Sequence, residues 1–243
     1  MCRFPSRYEN LYHVADLHMV NSFYTAKALY KHFDIKGHVF YPATPWDYYR
    51  STPREWSTRD PIVAAAVDLY HIKDRIGWSN CSNSTCHVRI PEARLVVVGV
   101  PDPRYPQYYE KLKRLAEENE WLELIDKPLE VRQLARIYVE AKVYVHMRIG
   151  HFGMAPVEAM TQGTIPIIPR QTGLAEVVVE EKNGLLFENE QEAAEKILKV
   201  LSIDPKEGDR ISEEARISSY YFTPTRFARQ VLEYLKLIST LDD

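Results

Sequence analysis

The sequence has no excess of positive charge. Its 31 Lys and Arg are outnumbered by 34 Asp and Glu, for a formal net charge of −3, so there is no basic field to track a phosphate backbone and nucleic acid is set aside as a partner. It also lacks long apolar runs. No window approaches the roughly 18 apolar residues of a membrane span, and Met1-Cys2-Arg3-Phe4-Pro5-Ser6-Arg7 has no apolar stretch behind it, so a cytoplasmic protein without a transmembrane segment is expected. Cysteine is scarce. Cys2, Cys81 and Cys86 form an odd set with one close pair, which fits reduced thiols better than a disulfide framework. Cys81, Cys86 and His87 have no fourth partner at ligand spacing, so neither a metal site nor a cofactor is expected. Asn80-Cys81-Ser82 and Asn83-Ser84-Thr85 match the N-glycosylation pattern, which matters only in a secretory compartment, and they read here as a polar loop. Finally, Val96-Val97-Val98-Gly99-Val100-Pro101 lacks the glycine spacing of a dinucleotide fingerprint, which argues against a nicotinamide-dependent oxidoreductase.

What is present is an ordinary globular composition, 45% hydrophobic and 27% charged over 243 residues, enough for one full core plus an appendage. From about residue 94 onward, short β-branched runs alternate with helical patterns. Strands are expected over 95–98, 121–125, 143–146 and 165–168, with helices within 106–119, 129–140 and 155–162. This alternation predicts an α/β domain, a doubly wound parallel sheet with helices on both faces. Beyond it lie the turn signal Asn183-Gly184, the run 185–187 and a helix over about 193–201. Thr223-Pro224 then opens a last helix, whose apolar stripe Phe227, Val231, Leu232, Leu235 and Ile238 is expected to pack into the core.

The first 45 residues read differently. Runs at 14–20 and 38–41 flank a helix of about 23–33, as in the close of another α/β unit. Residues 46–60, with Pro53 and neighbouring prolines, read as a linker or hinge. Residues 61–75 are helical in pattern, and 77–91 form a polar insertion.

The stretch richest in chemistry is Gly150-His151-Phe152-Gly153-Met154-Ala155-Pro156-Val157-Glu158-Ala159-Met160. It reads as strand, glycine loop, helix. Such a junction turns unpaired backbone N–H groups and the positive end of a helix dipole toward one point, a physical means of holding phosphate. In a parallel sheet it falls at the carboxyl ends of the strands, where ligands sit.

With Gly163-Thr164-Ile165-Pro166-Ile167-Ile168, Gly173-Leu174-Ala175-Glu176-Val177-Val178 and Asn183-Gly184-Leu185-Leu186, this stretch resembles the group 1 (family 4) glycosyltransferases of the GT-B fold. Asn21-Ser22-Phe23-Tyr24-Thr25-Ala26 and Val39-Phe40-Tyr41-Pro42 resemble the close of that family's N-terminal domain. The resemblance implies a Rossmann-like nucleotide-sugar-binding domain over 61–243, the C-terminal half of a GT-B fold. It also implies a remnant of the acceptor-side domain over 1–45, the rest being truncated or supplied by a separate protein.

The implied activity is retaining, metal-independent sugar transfer from a nucleotide diphosphate-sugar to an unnamed acceptor. Glu158 matches the second glutamate of the family's E-x7-E motif, whose two oxygens suit the vicinal ribose diol. The first glutamate should stand at 150, where this chain has Gly150. His151, Phe152, Gly153, Met154 and Ala155 match the loop that approaches the donor diphosphate and sugar, with Gly153 allowing close main-chain approach. Arg54 and Arg59 have the spacing of the family's Arg and Lys pair that neutralises the leaving diphosphate. Gly173 and Glu176 match a glycine-and-acid turn, with Thr172 where a first glycine is usual. Gly150 and the incomplete acceptor side also support an alternative, a non-catalytic nucleotide-sugar-binding or scaffolding subunit.

Overall fold

The computed structural model describes residues 15, 17–45, 54–66, 89–147 and 152–239. Its centre is a six-stranded, all-parallel sheet. The strands are β3 (Ile62–Ala66), β4 (Arg94–Val98), β5 (Leu122–Ile125), β6 (Val143–Val145), β7 (Ile165–Pro169) and β8 (Leu185–Phe187), in the order β5-β4-β3-β6-β7-β8. Counted from β3, this is the 3-2-1-4-5-6 order of a doubly wound nucleotide-binding sheet, and the order reverses between β3 and β6.

Apart from Arg94 and Glu123, which are exposed, the strands are largely apolar because both faces are covered. Alternate residues divide between two cores. Val63, Ala65, Val97, Val143, Val145, Ile165 and Ile167 pack with Leu112, Ile197 and Ile211 on one side; Ile62, Ala64, Val96, Tyr144 and Ile168 pack with Tyr138, Val157, Met160 and Leu174 on the other. Each aliphatic side chain removed from water contributes about 1.5–3 kcal/mol. The helical pattern at 61–75 is overturned over its first part. Ile62–Ala66 is the strand at the heart of the sheet, where alanines, good helix formers alone, let helices approach both faces.

The flanking helices are α2 (Pro106–Glu118), α3 (Val131–Glu140), α4 (Ala155–Thr161), α5 (Glu190–Leu201) and α6 (Pro205–Ser219). A capping box between Glu130 and Gln133 starts α3, Asn189 caps α5 through the Glu192 amide, and Asp204 precedes Pro205 at the start of α6. No apolar periodicity in the sequence predicts α6. It is mostly polar, with Ile211 and Ala215 on its buried strip and Ile217 exposed, and its Gly208 lets it lie directly on Trp56.

Residues 17–45 form a two-stranded parallel pair, β1 (Met19–Val20) and β2 (His38–Val39), around α1 (Phe23–Phe33). Ser22 caps α1 by accepting from the Thr25 amide, and Asp34 closes it at φ 57°. The last helix, α7 (Pro224–Ser239), returns to this unit: Gln230 donates to the Val39 carbonyl at 3.1 Å, and the Tyr234 hydroxyl meets the His38 ring at 2.7 Å. Its stripe is not core. Leu232 and Leu235 are 57% and 51% exposed, because α7 lies against residues 38–40 and not over the sheet; the Ile238 side chain lies outside the described residues. So do Cys2, Cys81, Cys86, His87 and most of the 77–91 insertion.

Candidate functional site: the carboxyl ends of β3 and β6

β3 and β6 end beside each other at the point where the strand order reverses. The Tyr144 side chain, fully buried, brings its hydroxyl to 3.2 Å from His146 Nδ1 and 3.4 Å from the carbonyl oxygen of Ala66. Burial, and next the negative charge of Glu158, raise the Tyr144 pKa above the ordinary tyrosine value. Glu158 stands in the first turn of α4, where a carboxylate complements the helix dipole.

The loop between β6 and α4 is described at its two ends, Met147 and residues 152–154; Gly150 and His151 lie outside the described residues. Phe152 is buried in the core beside Leu174 and Phe222. Among the described residues, a Cβ on Gly153 would meet only Leu174 Cδ2 at 3.6 Å, an ordinary contact. Gly163, by contrast, is explained by the fold: it follows α4 at φ +73°, and a Cβ would lie 2.6 Å from Ser212 Oγ.

Arg54 and Arg59 are not brought to this site. Arg59 precedes β3, at the amino ends of the strands, and is 4% exposed. Its Nε and Nη2 donate to the Arg54 carbonyl at 3.1 and 2.7 Å, its Nη1 to Ala141 at 3.0 Å, and its Nη2 also to Gln162 at 2.7 Å. Burial, then repulsion from Arg54, lowers its pKa to about 10. The guanidinium ties together the segment before β3 and the C-terminal ends of α3 and α4. Arg54 donates to the Thr58 carbonyl at 3.1 Å. The spacing of the pair thus falls before β3, and the Arg59 guanidinium is taken up by main-chain carbonyls there.

The turn on the far side forms as expected despite Thr172. Its φ of −141° is extended backbone that needs no glycine, and its hydroxyl accepts from the Ala175 amide while donating to the Pro169 carbonyl at 2.8 Å. Two features escaped the sequence reading. His146 is a polar residue ending an apolar strand, which is a readable signal; the contact of Tyr41 with Phe152, at 5.3 Å between ring centroids, joins residues too far apart in the chain to be seen. Among the described residues no cluster of three His, Cys, Asp or Glu is placed to hold a metal, and no helix is long and apolar enough to cross a membrane.

The six-stranded parallel sheet is the Rossmann-like sheet of a GT-B fold. Residues 82–218, more than half of the chain, match the family model for glycosyl transferases group 1, and the chain belongs to that family. It is 32% identical over 148 residues to a GDP-Man:Man(3)GlcNAc(2)-PP-Dol alpha-1,2-mannosyltransferase of Dictyostelium discoideum, covering 59% of this chain and 29% of that protein. The fold is similar to a glycosyltransferase of Rickettsia africae, at 17% identity and TM-score 0.80, covering 98% of this chain and 68% of the other. It is also similar to Anabaena HepE solved with UDP, at 20% identity and TM-score 0.77, covering 91% and 64%. The chain thus spans less than a third of the length of its curated relative.

Proposed function

We propose that this chain is the donor-binding part of a retaining glycosyltransferase, which takes a sugar from a nucleotide diphosphate-sugar without a metal. Residues 61–243 would form the donor domain and 1–45 part of the acceptor-side unit, with 46–60 joining them. The observation that carries the reading is that the Phe152–Gly153–Met154 main chain leads directly into the first turn of α4, which carries Glu158, on the carboxyl side of β6 beside β3. Glu158 would hold the ribose diol, and the loop amides, with the first turn of α4, the diphosphate. Fixed amides facing the developing diphosphate charge stabilise it without reorganisation, and hydrogen bonds to such a charged group contribute roughly 1.5–3 kcal/mol each. The mannosyltransferase relative supports GDP-mannose as donor, and UDP in HepE makes uridine nucleotides the first comparison. A cytoplasmic location belongs to the same reading.

One observation favours a second reading, a non-catalytic nucleotide-sugar-binding subunit: Gly150 stands where the family's sugar-contacting acid is expected. Thermal shift with GDP, UDP, ADP and their sugar conjugates tests the donor site. A ligand at about 100 times its dissociation constant adds roughly 2.7 kcal/mol of stability. One nucleotide should shift the wild type and leave Glu158→Ala unshifted; equal shifts in both proteins remove Glu158 from the site. Turnover on mixing with an acceptor-domain protein supports the enzyme, and tight binding without turnover in any such mixture supports the second reading.

A further inference from the structure

Residues 17–45 meet the donor loop through a constellation that the proposed chemistry does not use. Glu176, in the 3-10 turn over Gly173–Val177, places both carboxylate oxygens on that unit. Its Oε2 accepts from the Phe23 amide at 2.9 Å and the Tyr41 hydroxyl at 2.7 Å, and its Oε1 accepts from the Tyr24 amide at 2.7 Å. These amides open α1 and have no partner within the helix, so an anion here is both a cap and the favoured charge.

The Tyr41 ring in turn lies 5.3 Å from Phe152 and 5.7 Å from Phe222 between centroids. Gly173 closes the arrangement. A Cβ on it would come within 2.9 Å of both the Phe152 nitrogen and Ser22 Oγ, so the turn, the donor loop and the start of α1 touch with no room for a side chain between them.

We propose that Tyr41 and Glu176 are positioning residues of the donor loop: Glu176 fixes Tyr41 and the start of α1, and the Tyr41 ring holds Phe152 so that the main chain at 152–154 is set for a nucleoside diphosphate. The N-terminal unit then forms part of the donor site's supporting wall and is not merely a remnant. The ligand clause rests on the function proposed above; the clamp itself stands on the contacts.

Hydrogen exchange of the ligand-free chain, followed by nucleotide titration, separates the two. Tyr41→Ala and Glu176→Ala should speed exchange of amides 152–154 by about tenfold, equivalent to ~1.4 kcal/mol, with β4 and β7 unchanged. Tyr41→Phe keeps the ring but loses the bond to Glu176, and should speed loop exchange by an intermediate factor. The ratio of nucleoside diphosphate to nucleoside affinity should fall about tenfold with the first two variants and much less with Tyr41→Phe. Unchanged loop exchange overturns the clamp, as does exchange that quickens uniformly across the sheet, because that marks a general loss of stability. A wild-type chain that binds no nucleoside diphosphate overturns the donor reading and the ligand clause, while the exchange arm still decides whether Tyr41 and Glu176 hold the loop.

Discussion

Arg59 shows how a charged residue in a functional spacing becomes part of the frame. Its fork satisfies carbonyls on three segments, and its bonds to Ala141 and Gln162 are buried. Leaving buried carbonyls unpaired costs about 1–3 kcal/mol per group, so Arg59→Met should destabilise the chain by roughly 3 kcal/mol or more. Arg59→Lys should rescue little, since an ammonium lacks the planar fork. Denaturant unfolding measures both. The ratio of diphosphate to nucleoside affinity should stay at the wild-type value in whatever fraction remains folded; a selective loss of diphosphate binding would return Arg59 to the donor site. Nothing in the residue types distinguished the two roles, because spacing does not report which end of a sheet a segment occupies.

Among the elements, α6 depends on one close approach. A Cβ on Gly208 would lie 2.1 Å from Trp56 Cζ3, and Trp56 cannot yield: it is 2% exposed, its Nε1 donates to the Lys142 carbonyl at 3.1 Å, and the Lys142 ammonium sits 4.4 Å from its ring centroid. Gly208→Ala gains about 0.8–1 kcal/mol of helix propensity, but overpacking a core costs about 1–3 kcal/mol or more. With the ring pinned on two sides the clash dominates, and a net loss of about 2 kcal/mol should lower Tm by roughly 4–8 °C. A rise in Tm would mean that the ring moves freely. The elements most legible in the sequence were β4, β6, β7 and α2 to α5, whose apolar periodicity agrees with their local propensities. β3 was misread because alanine propensity favours helix while its neighbours impose strand, and α6 was missed because it buries few large apolar groups.

Across the whole molecule, three tyrosines in separate regions report on one folded state. Tyr41 is held above the ordinary tyrosine pKa by burial and by the Glu176 carboxylate, Tyr108 by burial, and Tyr144 by burial and Glu158. In the unfolded chain each ionises near ~10. Above that pH the native state therefore binds more protons than the unfolded state, and stability falls as pH rises, with no contribution from these groups at lower pH. Of the 16 tyrosines, these three should ionise only in a steep step coincident with loss of near-UV circular dichroism. Smooth ionisation of all tyrosines near pH 10 with structure retained would contradict their environments.

The sequence by itself determined the parallel α/β domain, the family and the segment 150–160, because periodicity, turn chemistry and short motifs are local and survive without a fold. Only the tertiary structure decided which end of the sheet each motif occupies. It took Arg54 and Arg59 away from the site, placed β3 at its centre, and set Tyr41 against Phe152 and Glu176 against α1. Those contacts join residues more than 100 positions apart, and such pairings follow from strand order and packing, which no local pattern encodes.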